Sequence, residues 1–174
     1  MIRDGATMID IGGESTRPGS PGVPLDEELR RVMPTLYALR TLDVALSVDT
    51  CKPEVMREAL IAGADMINDI NGFRAPGAIA AVQDSDCGLC VMHMQATPET
   101  MQQAPQYDDV VGEVIAFLRE RVDAMTAAGI ERERICVDPG FGFGKTVEHN
   151  YALLQGLQRM RDELDLPVLA GMSR

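Results

Sequence analysis

No stretch of this 174-residue chain comes near the roughly 20 apolar residues that a membrane-spanning helix needs. The opening, Met1-Ile-Arg-Asp-Gly-Ala, lacks the apolar core of a signal peptide, so the expected location is the cytoplasm. Positive charge is also scarce. Sixteen Lys and Arg stand against 27 Asp and Glu, a net charge of −11. Such a chain repels nucleic acid and anionic membrane surfaces, although a local basic pocket could still bind an anionic small molecule. Only two histidines occur, and they do not form H-E-x-x-H, which argues against a zinc hydrolase. Of four cysteines, Cys87 and Cys90 are spaced C-x-x-C, but no second pair exists. They lie in an apolar run that reads as a strand, where residues three apart point to opposite faces, so reduced structural thiols are expected. There is no repeat, low-complexity tract or linker, and with 45% hydrophobic and 25% charged residues the expectation is one globular domain over 1–174.

What is present is an alternation of short apolar runs and helical patterns. The runs are Thr7–Gly12, Val44–Asp49, Asp65–Ile70, Cys87–His93, Arg134–Asp138 and Leu166–Gly171. Each is apolar on both faces and ends in polar residues or glycine, as parallel strands covered on both sides do. Leu25, Leu29, Val32, Leu36 and Leu39 recur at helical spacing behind Asp26, Glu27 and Glu28, and Pro34 marks a kink or a first turn there. Further helices are expected over Pro53–Ala62, closed by Gly63, over Pro76–Val82, and over Asp108–Ala128, closed by Gly129. Thr146 is placed to cap a last helix carrying Leu153, Leu154, Leu157 and Met160.

Repeated βα units imply an α/β fold with a parallel sheet, either doubly wound or closed as a (β/α)8 TIM barrel. The barrel is favoured because nearly every strand ends in distinctive polar residues: Glu14 to Arg17, Asp49, Asn68, His93, Asp138 and Ser173. Barrels gather such ends at one mouth, whereas open sheets concentrate them at one switch point. About six of the eight βα units are expected here, with the chain incomplete at both ends.

Three segments could carry chemistry. Gly12–Gly19 places Arg17, a planar five-donor fork, in a loop rich in turn formers, suited to anion capture or to no more than a surface turn. Asp49 and Asn68 end strands, and a carboxylate and an amide held there can read the edge of a flat heterocycle. Helix capping is the plainer reading of each alone, and Asp69 is expected to face away from Asn68. Asp138–Thr146 combines a strand-end carboxylate, three glycines and two phenylalanines available for stacking. It is not a phosphate-binding P-loop, because with Gly144-Lys145-Thr146 in place the first required glycine falls at Pro139. Lys145 is read as a solvent-facing residue at a helix start. Met94 offers a polarisable wall for a ring or a core filler. His93 could be a base but has no partner nucleophile.

Taken in order, GGESTRPG from Gly12, SVDT from Ser47, INDIN from Ile67, VMHMQATPETMQ from Val91, DPGFGFGKT from Asp138 with His149-Asn150, and GMSR from Gly171 resemble the dihydropteroate synthase family. The likeness runs from Gly5 to Arg174. It implies a (β/α)8 barrel that condenses 6-hydroxymethyl-7,8-dihydropterin diphosphate with 4-aminobenzoate, releasing pyrophosphate by an SN1-like route. By motif match, Asp49, Asn68 and Asp138 would hydrogen-bond the pterin, Asp138 along its 2-amino and N3 edge. Met94, Gly142 and Phe143 would line the slot with Ile70, and Gly171 would leave the ring room. Thr16, Arg17 and Pro18 would belong to the loop covering 4-aminobenzoate, with Phe143 against its ring and Ser173 nearby. Asp49 and Arg17 would serve the chemistry. The resemblance also implies Mg2+, small-molecule substrates as the only partners, and a homodimer.

The departures are at the ends and at Ala96, where glycine is common. The family's first strand and loop, with the Asn that helps hold Mg2+, and its last strand, with an anion-binding Arg, have no counterpart here, so no metal ligand is expected in this chain. The pterin slot is therefore expected largely present, the pyrophosphate and metal site largely absent, and this polypeptide alone inactive or nearly so. The alternatives are another pterin-binding barrel, such as a methyltetrahydrofolate methyltransferase domain, and a non-catalytic pterin-binding remnant.

Overall fold

The computed structural model describes residues 1–17, 19–97 and 100–172. Five strands form one parallel sheet in sequential order: β1 (Met8–Gly12), β2 (Ala45–Asp49), β3 (Met66–Asp69), β4 (Gly88–Met92) and β5 (Ile135–Asp138). Helices α1 (Leu25–Leu39), α2 (Pro53–Ile61), α3 (Ala78–Val82), α4 (Val110–Ala127), α5 (Val147–Gln155) and α6 (Leu157–Leu164) fill the connections. Sequential parallel order with helical crossovers is the α/β pattern of a (β/α)8 barrel wall, of which these residues form part.

The sixth expected strand is reduced to one pairing, Val137 with Val168. Val137 N donates to Pro167 O and Leu169 N donates to Val137 O. Pro167 has no N–H to extend the ladder. The expected last helix is divided at Gly156 into α5 and α6. A Cβ there would lie 2.7 Å from Val111 of α4, so the chain approaches α4 where no side chain fits. Pro34 lies in the interior of α1, which begins nine residues earlier at Leu25.

Strand register sorts every side chain to one of two faces. Ile11, Val48, Ile67, Leu89, Ile135, Val91 and Val137 share one face and pack against Val32 and Leu36 of α1, Val55, Met56 and Ala59 of α2, and Val114, Leu118 and Val122 of α4. Each buried Val, Leu, Ile or Met among them contributes about 1.5–3 kcal/mol. The opposite face carries Met8, Asp10, Ser47, Asp49, Met66, Asn68, Cys90, Cys136 and Asp138. One face thus holds the fold together, and the other presents polar groups. Cys87 lies beside Ser85, whereas Cys90 stands opposite Cys136, and all four thiols are free.

Candidate functional site

The polar face opens into a cleft of about 300 Å³ that runs along the sheet from Met8 and Met66 at strand starts to Asp49, Asn68 and Asp138 at the C-terminal strand ends. Asp10, Thr16, Ser47, Asp49, Asn68, Ile70, Asp138, Phe143 and Gly171 line it, together with Met66, Met92, Phe141 and Leu169. Parallel register makes Asp49 and Asn68 direct neighbours and sets Asp138 beside Met92. Three polar strand ends, from β2, β3 and β5, therefore face one cavity.

Asn68 is turned by a neighbour. Its Nδ2 donates to Asp10 Oδ2 at 3.3 Å, and its Oδ1 is buried with no hydrogen-bond partner among the described residues. A buried acceptor without a donor costs about 1–3 kcal/mol and marks a place where a ligand N–H would be welcome. Asp69, one residue past Asn68 and paired with Val91, points to the opposite face and accepts from the N–H groups of Asn71 (2.7 Å) and Phe73 (2.8 Å). Capping does not use Asn68, and α2 begins at Pro53 without a side-chain cap.

Burial, together with the carboxylates of Asp10, Asp69, Glu28 and Glu14, pushes Asp49 up to about 8. In the open cleft Asp49 is therefore mostly a neutral acid at pH 7 and can donate as well as accept. Asp138 is raised by burial to about 6, held back by the Gly140 N–H and the Lys145 ammonium. Its Oδ1 takes the Gly140 N–H at 2.6 Å. A Cβ on Gly171 would sit 3.7 Å from Oδ2, which places Gly171 directly against the carboxyl.

The loop after β5 owes its path to glycine. Gly140, Gly142 and Gly144 have φ of 70°, 81° and 65°. At Gly140 a Cβ would come within 2.0 Å of His93 O, so backbone meets backbone. Lys145 is not the solvent-facing residue the sequence suggested. It is 3% exposed, and its Nζ contacts His93 Nδ1 (2.9 Å), Phe143 O (2.9 Å) and His93 O (3.4 Å). It has turned inward because the glycine turns leave carbonyls converging on a buried point that needs donors. Burial lowers Lys145 to about 7 and, with Lys145 adjacent, His93 to about 3. His93 is thus a neutral acceptor packed edge-on against Phe117, not a base in the cleft.

Not every expected residue reaches the cavity wall. Met94 is buried against the lining residues Ile70, Met92 and Phe143, together with Met101 and Cys51, and does not itself line the cleft. Gly142 shapes the loop, its N–H bonded to Asn150 Oδ1 at 2.9 Å. Arg17 is exposed on the β1–α1 loop while Thr16 lines the cleft. Pro18 and Ser173 lie outside the described residues. Asp10 and Ser47 were not singled out from sequence, yet both share strand parity with Asp49, and that alternation could have found them.

The family profile described as Pterin binding enzyme matches residues 1–174. The dihydropteroate synthase of Escherichia coli strain K12 is 50% identical over 175 residues, covering 100% of this chain and 62% of that protein. A crystal structure of the Yersinia pestis dihydropteroate synthase with a sulfonamide drug superposes with a TM-score of 0.96 at 47% identity, covering 99% of this chain and 62% of that one. The Burkholderia cenocepacia dihydropteroate synthase complexed with 7,8-dihydropteroate gives a TM-score of 0.91 at 60% identity, with 99% and 64% covered. The chain thus spans a little under two thirds of the length of these relatives.

Proposed function

Because the chain belongs to the pterin-binding enzyme family, we propose that it forms the pterin slot of a dihydropteroate synthase, a transferase joining dihydropterin diphosphate to 4-aminobenzoate in folate biosynthesis. The observation that carries this reading is the convergence of Asp49, Asn68 and Asp138 on one cleft, with the Asn68 acceptor buried and unpartnered among the described residues. A dihydropterin presents several N–H donors along one flat edge. Asp138 accepts from its 2-amino and N3 side, Asn68 supplies an amide already oriented by Asp10, and Phe141 and Phe143 offer faces to the rings. The bound product of the Burkholderia relative contains both substrate halves, which supports the same slot here.

The chemistry follows from charge. As the bond to the diphosphate breaks, positive charge spreads from the exocyclic methylene into the pterin. Asp49 is held neutral in the open cleft by burial and by the carboxylates around it; as positive charge develops on the ring its carboxyl releases a proton to water, and the carboxylate left behind stabilises that charge. Thr16 at the cleft rim and Arg17 beside it cover the 4-aminobenzoate side, where the arginine attracts its carboxylate. Mg2+ would assist departure of pyrophosphate. Among the described residues there is no group of three or more His, Cys, Asp or Glu able to hold a metal, so no step is assigned to a cation bound by this chain. The proposed setting is a cytoplasmic homodimer. No helix of the described residues is long and apolar enough to cross a membrane.

The test uses the full polypeptide carrying these residues. Dihydropterin diphosphate and 4-aminobenzoate are supplied, and pyrophosphate and dihydropteroate are measured. Turnover that disappears in Asp138→Asn is expected. Pterin binding with methyl transfer and no pyrophosphate release would overturn the assignment.

A further inference from the structure

We propose that Lys52 is a positioning residue that locks the β1–α1 loop over the cleft by bridging Glu14 of that loop to the buried Glu28 of α1. The proposal rests on the reading of Thr16 and Arg17 as the cover of the second substrate.

Glu28 is the starting point. It lies in the first turn of α1, where acidic residues ordinarily face water and favour the helix dipole. Here it is 1% exposed. A buried carboxylate persists only with close partners. Glu28 has two, since Thr50 Oγ1 donates to its Oε1 at 2.5 Å and the Lys52 ammonium pairs with its Oε2. Both partners come from the segment that follows Asp49, so α1 is tied to the rim of the cleft.

Lys52 reaches in a second direction. Its Nζ lies 2.5 Å from Glu14 Oε2, and the same oxygen accepts the Val23 N–H at 2.9 Å. One carboxylate thus joins two points of the loop nine residues apart, and Lys52 anchors that junction to Glu28. Arg31 Nη1 adds a bond of 2.9 Å to Gly13 O. A Cβ at Gly13 would lie 2.8 Å from Glu28 Cγ, so the loop rests directly on the buried acid. Thr16 and Arg17 lie between these anchors, and among the described residues the segment is otherwise joined by exposed contacts, Ser15 Oγ to Ser20 Oγ at 2.9 Å, Arg17 N to Ser15 Oγ at 3.5 Å and Ser20 N to Arg17 O at 3.1 Å. Without the Lys52 bridge the Arg31 bond to Gly13 and the Glu14 bond to Val23 remain, but the Glu14 junction loses its tie to the buried Glu28 of α1.

The bridge touches the loop and not the cavity wall, since neither Lys52, Glu14 nor Glu28 lines the cleft. Its loss should affect the two substrates unequally. The experiment compares wild type, Lys52→Met, Lys52→Arg and Glu14→Gln in the full polypeptide, by hydrogen–deuterium exchange, calorimetry with a pterin analogue and steady-state kinetics. In Lys52→Met the amides of residues 13–24 should exchange about tenfold faster while β2 to β5 stay protected. Affinity for the pterin analogue should hold within about twofold, while KM for 4-aminobenzoate rises about tenfold. Lys52→Arg should restore most of both effects, because a guanidinium can span the same two carboxylates. Glu14→Gln opens the bridge at its outer end without stranding Glu28, and it serves if Lys52→Met does not fold. Unchanged exchange in residues 13–24, or parallel losses for both substrates, overturns the proposal. Absence of turnover in the wild type would sink the dihydropteroate synthase reading instead, while the exchange data still decide the bridge.

Discussion

Replacing Asp49 by Asn should stabilise the protein, and increasingly so as pH rises. In the unfolded chain this carboxyl titrates near 3.8, and in the folded protein burial and the carboxylates of Asp10, Asp69, Glu28 and Glu14 raise it to about 8. Between those values the folded state keeps a proton that the unfolded state has released, so stability falls as pH increases through the window. From pH 6 to the folded value of about 8, at about 1.4 kcal/mol per pH unit, the loss is at most about 3 kcal/mol. Asp49 is half-buried, and solvent screening brings the expected figure to about 1–2 kcal/mol. Lys145 works in the opposite sense. Its folded value of about 7 lies below 10.5, so the unfolded state binds the extra proton and stability from this group rises with pH. The wild-type profile alone is therefore not diagnostic, but the difference between wild type and Asp49→Asn is, because Lys145 is common to both. Urea unfolding followed by circular dichroism at pH 6 and pH 9 measures it. The advantage of the variant should grow by about 1–2 kcal/mol between the two. A constant difference, or one that shrinks with pH, would refute the claim that Asp49 is held protonated by burial and its acidic neighbours.

Three further outcomes follow from the same geometry. Asp138→Asn should weaken a pterin analogue about 100-fold by calorimetry, the size of a lost charge-assisted pair, and wild-type affinity should fall below pH about 6 as the carboxyl protonates. Gly140→Ala drives a Cβ to 2.0 Å from His93 O at a φ of 70° and should lower stability by at least about 3 kcal/mol, read as a loss in Tm. Lys145→Met leaves the carbonyls of His93 and Phe143 without their ammonium donor and should cost about 2–4 kcal/mol. By the linkage above, that loss should be smaller at pH 6 than at pH 9, because between about 7 and 10.5 the unfolded chain holds a Lys145 proton that the folded protein has released; a loss that shrinks as pH rises would refute the depressed value.

Much of the site was legible because strand ends carry their own signal. Asp49, Asn68 and Asp138 each close an apolar run, and in a parallel sheet with short crossovers such positions share one edge. Residues that act from within a strand or from a helix were harder to see. Asp10 stands mid-strand, and its contact with Asn68 spans 58 positions and an intervening strand. Met94 carries a family motif yet does not line the cleft, because burial of a methionine depends on what packs over it. The end of the sheet departs from its sequence pattern. Leu166–Gly171 has the apolar character of a strand, but pairing depends on backbone donors, and Pro167 withholds one.

Alternation of apolar residues, glycine at turns and polar strand ends were sufficient to specify the α/β order, the helix-facing core and the identity of the cleft's principal polar groups. These features are local, and their periods are set by backbone geometry. Which charges are buried, and with whom, was decided only by the folded chain. Glu28, in the first turn of a helix, and Lys145, in the loop before one, look like surface residues, yet one is 1% and the other 3% exposed. Their placement depends on partners 24 and 52 positions away. Coulombic and desolvation energies act through space, and no pattern along the chain encodes a distance that exists only once the strands are side by side.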